Sequence, residues 1–140
     1  IEKKYSELKN IYEKMLKSKK TETLGYRGLM EQNLNNQDYH HAFIYGEKLF
    51  YLNPKIEKIY ETLVYIVAKT RNWNQLISIT DKAYTYNLIT KDKSNENKSI
   101  ALFEIAKVKL NSDLKETIKI ITKALDLNKN FPYLLLTIQI

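Results

Sequence analysis

The two histidines are the first candidates for chemistry, because imidazole binds metals and transfers protons near neutral pH. His40 and His41 are adjacent in the chain. Neighbouring side chains on a helix point about 100° apart, so these two rings do not converge on one ion. We therefore interpret both as surface residues of a helix and predict no metal site.

The sequence offers no candidate residues for nucleophilic catalysis or for phosphate binding either. The serines are few, and none lies in a glycine-rich turn or at a spacing that would pair it with a base. Dinucleotide-binding and phosphate-loop glycine motifs are absent, and acidic residues are spread singly. The chain has no cysteine, which excludes thiolate nucleophiles and cysteine-ligated zinc. We predict a protein that is not an enzyme, with no catalytic residues and no cofactor.

The net charge of +7 comes almost entirely from lysine. Asn, Ile and Tyr are abundant as well, which is typical of codon use in an AT-rich genome, and acidic residues lie between the lysines. We favour this explanation and expect no nucleic-acid binding. The alternative is a lysine-driven binding module for an anionic partner, either nucleic acid or a membrane surface.

Three segments of the chain share one pattern, in which a small polar residue precedes a bulky one. The bulky residues are Tyr39, Trp73 and Leu114, spaced by 34 and then 41 residues. Ten residues after each stands an apolar one: Leu49, Ala83 and Ala124. A period near 34 that contains two helical patterns is typical of a helix–turn–helix solenoid.

Apolar residues at helical spacing predict the elements of these repeats. The predicted helices cover residues 5–18, 24–35, 39–52, 56–70, 73–86, 98–110 and 113–127. Asp38 and Asp113 are predicted N-caps. The stretch 87–97, with KDKSNEN at its middle, is predicted to be a polar loop. Phe131-Pro132 predicts the start of one more helix.

The repeats resemble the tetratricopeptide repeat family. The matching positions in the first full repeat are Tyr26, Leu29, Ala42, Leu49 and Pro54. Met30 and Val64 depart from the family's small residue, and Gly46 and Thr80 depart from its aromatic. The resemblance implies an all-α fold, a right-handed α-α superhelix of about three helix pairs plus flanking helices.

This resemblance also implies a single domain over residues 1–140. Its parts are the second helix of a truncated repeat at 1–20, repeats at 23–54, 56–88 and 98–129, and the start of a further helix at 132–140. We expect both ends of the chain to continue in a longer protein, and we make no prediction of oligomeric state.

In tetratricopeptide repeats the first helix of each pair lines a concave, peptide-binding groove. The groove residues that the resemblance implies are Arg27, Glu31, Lys58, Glu61, Tyr65, Leu102, Ala106 and Lys109. These mixed apolar and charged groups suit an extended or helical peptide. Glu31 stands where repeats that clamp an acidic C-terminus have Asn, so we reject that partner.

A narrower resemblance is to the C-terminal repeat region of the HemY family. It is carried by LGYRGL at residues 24–29 and by the widened third repeat. It implies a non-catalytic protein-binding scaffold, linked to haem biosynthesis and held at the bacterial inner membrane by an N-terminal anchor outside this soluble segment. Haem binding by His40 and His41 is a further alternative that rests on this association alone.

Overall fold

The computed structural model describes residues 1–129, which form seven α-helices and no strand. The helices are α1 (Glu2–Met15), α2 (Glu22–Asn35), α3 (Tyr39–Leu52), α4 (Glu57–Thr70), α5 (Trp73–Thr85), α6 (Lys91–Lys109) and α7 (Leu114–Leu127). The predicted all-α class is confirmed. The helix predicted at 132–140 lies outside the described residues.

The chain divides into two compact units, Ile1–Arg71 and Asn72–Ile140. In the first unit α1 packs on α2, α2 on α3 and α3 on α4. In the second unit α5 packs on α6 and α6 on α7. Packing of each helix on its neighbours in the sequence is the organisation expected of an α-helical repeat, so this part of the prediction is also confirmed.

Helix α1 is held to α2 by a close approach rather than by a buried core. A Cβ atom at Gly28 would overlap the ring of Tyr12, so only glycine lets the two helices come this near. Beside that contact the Tyr5 hydroxyl donates to the Gln32 carbonyl oxygen (2.9 Å), and the Gln32 side-chain amide donates to the Tyr5 carbonyl oxygen (2.8 Å). These reciprocal bonds set the register of α1 on α2.

Large apolar side chains fill the space between α2, α3 and α4. The buried ones are Leu29, Met30, Phe43, Leu49, Phe50, Ile59, Tyr60, Leu63, Ile66 and Val67. Gly46 lies in the middle of α3, where an added Cβ would stand 2.9 Å from Leu63 Cδ2 and 3.0 Å from Met30 Sδ. A larger side chain at this position would displace these neighbours, so Gly46 lets α3 pack closely on α2 and α4.

The N-caps follow the sequence closely. The Asp38 carboxylate accepts from the His41 backbone N–H (3.2 Å), and the Asp113 carboxylate accepts from that of Glu116 (2.9 Å). Both predicted caps are confirmed. Their helices begin at the next residue because the aspartate satisfies an N–H group that the first turn leaves without a partner.

The prediction of a polar loop at 87–97 is wrong for most of its length. Helix α6 begins at Lys91, seven residues before the predicted start at Lys98, so that KDKSNEN forms its first two turns. Thr90 caps it by accepting from the Lys93 N–H (3.2 Å). Ser94 and Asn97 are buried, so tertiary packing stabilises a polar segment whose sequence has no apolar stripe.

Candidate functional site

A cavity of about 300 Å³ lies in the first unit, and we call it the α2–α4 cavity. It is lined by Arg27, Met30, Glu31 and Leu34 of α2, by Leu49 of α3, by Ile56, and by Lys58, Ile59 and Thr62 of α4. Three of the eight predicted groove residues, Arg27, Glu31 and Lys58, therefore come together around one concave space.

Helical periodicity explains why these residues meet. Arg27, Glu31 and Leu34 recur at intervals of four and three along α2, which puts them on one face. Lys58 and Thr62 are four apart along α4 and follow the same rule. The tetratricopeptide resemblance implied the charged members in advance. It did not include Met30, Leu49, Ile56, Ile59 and Thr62, because which apolar residues line the cavity depends on how the helices pack.

The cavity has an apolar floor and a charged rim. Met30, Leu49 and Ile59 are buried, and Leu34 is half-buried. Ile56, at 38% exposure, presents an apolar edge to solvent. The charged side chains of the rim, Arg27, Glu31 and Lys58, are exposed. Such a combination binds an apolar group below and orients it through charges above.

Most of the charged side chains of the rim have no ion-pair partner among the described residues. Lys58 Nζ lies 3.4 Å from Glu61 Oε2, an exposed pair of the kind that contributes little to stability. The Arg27 and Glu31 side chains form neither an ion pair nor a hydrogen bond with any other described residue. Both remain available to a ligand.

Tyr65, a predicted groove residue, belongs to an aromatic contact outside the cavity lining. Its ring meets that of Tyr39 edge-on, with centroids 6.3 Å apart and planes at 70°. Interaction with the Tyr65 side chain raises the pKa of Tyr39 above its ordinary value. Lys69 Nζ lies 5.4 Å from the centre of the Tyr65 ring, on which it forms a cation–π contact.

The remaining predicted groove residues belong to α6 in the second unit. Leu102 is half-buried and Lys109 is exposed. Ala106 is only 1% exposed, so its methyl group contributes to the interior of that unit. Ala106 lies beside Phe103 and Thr117 around a small void.

A second cavity, of about 580 Å³, lies in the second unit between the start of α6 and the end of α7. Its lining is polar: Thr90, Asp92, Lys93, Asn95 and Glu96, with Leu127 and Asn128. Sequence reasoning missed this space because it placed residues 87–97 in a loop. The Thr90 cap, followed by Asp92 in the first turn, was the available signal for a helix start.

The histidines lie at the start of α3, and only one of them contacts an acid. His41 Nδ1 stands 2.7 Å from Asp38 Oδ2. The backbone N–H of His41, then its ring, hold the pKa of Asp38 below its ordinary value. The described residues contain no group of three or more His, Cys, Asp or Glu side chains suited to a metal ion.

None of the helices within residues 1–129 combines the length and the apolar character needed to cross a bilayer.

Comparison with known protein families gives no match for this chain, and comparison with curated proteins gives none either. The assignment to a helical repeat therefore depends on the helices and their packing order.

Proposed function

We propose that this chain is a non-catalytic protein-binding module that receives a peptide segment of its partner in the α2–α4 cavity. The observation that supports this most is the apolar floor beneath the exposed charges of Arg27, Glu31 and Lys58. Tetratricopeptide repeats place a peptide groove at corresponding positions, so the resemblance in the sequence and the cavity favour the same surface.

Apolar burial on the cavity floor supplies one part of the free energy of binding. Burying one Leu-sized side chain on the floor stabilises a complex by about 1.5–3 kcal/mol. Contacts of the exposed charges add specificity more than affinity, because water screens them. A transient interaction is the expected outcome, since the cavity of about 300 Å³ accepts only a short segment.

Filling the cavity tests this proposal. Thr62 lines it, and its hydroxyl donates to the Lys58 carbonyl oxygen (2.8 Å). Thr122 of α7 makes the same bond to Ile118 (2.9 Å) at an exposed position, and it does not line the cavity. Thr62→Trp should therefore block peptides, whereas Thr122→Trp should not.

The measurement is selection of a displayed library of random peptides on the wild-type protein, followed by fluorescence anisotropy of recovered peptides with both variants. Circular dichroism confirms that each variant is folded. Wild-type binding that Thr62→Trp leaves intact would show that the cavity is not the site.

We further propose, from the sequence resemblance alone, that the full-length protein is a HemY-like scaffold linked to haem biosynthesis at the inner membrane. Crosslinking in cells with the full-length protein checks this. Haem-pathway enzymes should be captured by the wild type and lost with Thr62→Trp. Their capture by neither protein would remove the HemY proposal and leave the peptide site standing.

A second candidate function is binding of an anionic surface by lysines at the end of α1. Lys14, Lys17, Lys19 and Lys20 lie within seven residues, are exposed, and pair with no carboxylate in the described residues. Binding of duplex DNA or anionic vesicles should then weaken steeply as salt rises, because neutralised phosphates release counterions. Affinity that does not change with salt would exclude this mechanism.

A further inference from the structure

We propose that the α2–α4 cavity selects an extended peptide segment in which an apolar residue stands between an acidic and a basic one. This inference rests on the proposed function of the cavity and specifies its ligand. It is carried by the opposite charges of Arg27 and Glu31, which share one cavity and have no side-chain partner in the described residues.

The absence of an Arg27–Glu31 ion pair is informative. Opposite charges four residues apart on a helix are neighbours that often pair, as Lys9 and Glu13 do on α1 (3.8 Å). On α2 both side chains line the cavity instead. A ligand can therefore bind each of them without first breaking a contact within the protein.

The size of the cavity favours an extended ligand. A helix with its side chains is about 10–12 Å wide, so a cavity of about 300 Å³ admits a single extended segment more readily than a helix. In an extended chain, residues two positions apart point to the same side and are separated by about 6.6 Å. That distance matches the roughly 5–6 Å between Cβ atoms at the i and i+4 positions of a helix, so two such residues can reach Arg27 and Glu31 together.

In the bound peptide, the residue between the acidic and the basic one points to the opposite side of the extended chain. The cavity wall there is formed by α4 and the residues before it, where Ile56 and Ile59 are apolar. An apolar side chain is the group that this wall accepts at least cost. The recognised segment is thus acidic–apolar–basic, read in one chain direction.

Charge complementarity argues against the simpler ligands. A purely acidic segment would meet Glu31, and a purely basic one would meet Arg27 and Lys58 at the same rim. A purely apolar segment would cover these exposed charges without pairing them, which carries a desolvation cost. Only a segment with both charges pairs with both Arg27 and Glu31.

The test exchanges the two charges in the variant Arg27→Glu/Glu31→Arg. Net charge, cavity floor and helix length stay as they are. The matched control exchanges an exposed i, i+4 pair that does not line the cavity, Lys9→Glu/Glu13→Lys on α1. The probes are peptides recovered from a displayed random library on the wild-type protein, together with versions in which the acidic and basic residues are interchanged.

The wild type should recover acidic–apolar–basic segments in one consistent order, and the exchange variant should recover the inverse order. A peptide recovered on the wild type should bind the exchange variant about tenfold more weakly, because attraction at two exposed sites becomes repulsion. The version of that peptide with its charges interchanged should bind the exchange variant with the original affinity. The Lys9/Glu13 control should bind as the wild type does.

Two failures are distinguishable. Equal affinity of the wild type and the Arg27/Glu31 exchange variant, while Thr62→Trp abolishes binding, would overturn the charge rule and leave the cavity as the peptide site. Recovery of no peptide by the wild type, or binding that Thr62→Trp leaves intact, would overturn both the charge rule and the proposed function.

Discussion

The interiors of the two units are built from different side chains. In Ile1–Arg71 the helices α2–α4 bury large apolar groups such as Phe50, Leu63 and Ile66, with no solvent exposure. Among the described residues of the second unit, three buried side chains are large and apolar, Leu76, Ile79 and Phe103. The other buried ones are small or polar: Thr80, Ala83, Ser94, Asn97, Ser99, Ala101, Ala106, Thr117 and Ala124.

The difference shows two ways of bringing helices together. Large side chains fill the space between helices and stabilise through burial of apolar area. Small and polar ones let backbones approach, but each hydroxyl then needs a partner. Ser99 donates to the Glu96 carbonyl oxygen (3.1 Å), and Thr117 donates to that of Asp113 (2.7 Å). The first unit should therefore be sensitive to lost volume and the second to lost hydrogen bonds.

The largest expected effect is truncation of Phe50. Phe50 is fully buried, with its ring 6.3 Å from that of Tyr60. Phe50→Ala should lower the free energy of unfolding by about 3–5 kcal/mol, through lost burial and the cavity left behind. Chemical denaturation followed by circular dichroism measures it.

The control for Phe50 is the same change at Phe103 in the second unit. Phe103 lies beside a small void, and Lys107 Nζ stands 5.5 Å from its ring centre. Its neighbourhood can relax, so Phe103→Ala should cost less than Phe50→Ala. A larger loss at Phe103 would contradict the contrast between the two interiors.

A smaller effect, of opposite sign, is expected at Ser94. Its hydroxyl is buried and has no hydrogen-bond partner in the described part of the chain. Ser94→Ala removes an unsatisfied polar atom, so it should raise the free energy of unfolding by about 1 kcal/mol. Ser99→Ala is the control, because its hydroxyl is satisfied and the change should give no such gain. Thermal unfolding of both variants measures the two changes in stability. Destabilisation by Ser94→Ala would show that the Ser94 hydroxyl forms a hydrogen bond.

An effect of similar size is expected at the two aspartate caps, Asp38 of α3 and Asp113 of α7. Replacement of either by Ala should cost about 1 kcal/mol at neutral pH, since one N–H of the first turn loses its acceptor. Equal losses would show that caps act alike in both units, whatever their interiors contain. Loss at only one of them, measured by chemical denaturation, would break that equivalence.

Asp38 also predicts a pH dependence with a definite sign. Its folded-state pKa is lowered, first by the His41 backbone N–H and then by the His41 ring. A lowered carboxyl pKa adds stability above the unfolded-state value of about 3.9, and this is lost as the pH falls through the folded-state value. Asp38→Asn should therefore be less stable than the wild type at pH 7, and the gap should close in acid. A gap that stays constant down to pH about 2 would show that the charge of Asp38 contributes nothing.

Much of the fold could be predicted because its signals are local. Residues 39–52 were assigned to a helix from apolar spacing and the Asp38 cap, and α3 covers the same residues. Of the candidate site, Arg27, Glu31 and Lys58 followed from repeat register. The apolar floor did not, because Met30 and Ile59 look like ordinary core residues until the facing helix is in place.

The sequence by itself determined the helical class, the bounds of α3 and the aspartate caps, since each depends on residues within a few positions of one another. Tertiary structure decided the division at Arg71–Asn72 and the helical state of KDKSNEN. Burial of Ser94 and Asn97 is a property of the neighbouring helices, not of the segment. Tertiary structure also formed the cavity in which Arg27 and Glu31 meet, because a concave surface exists only once separate helices have packed.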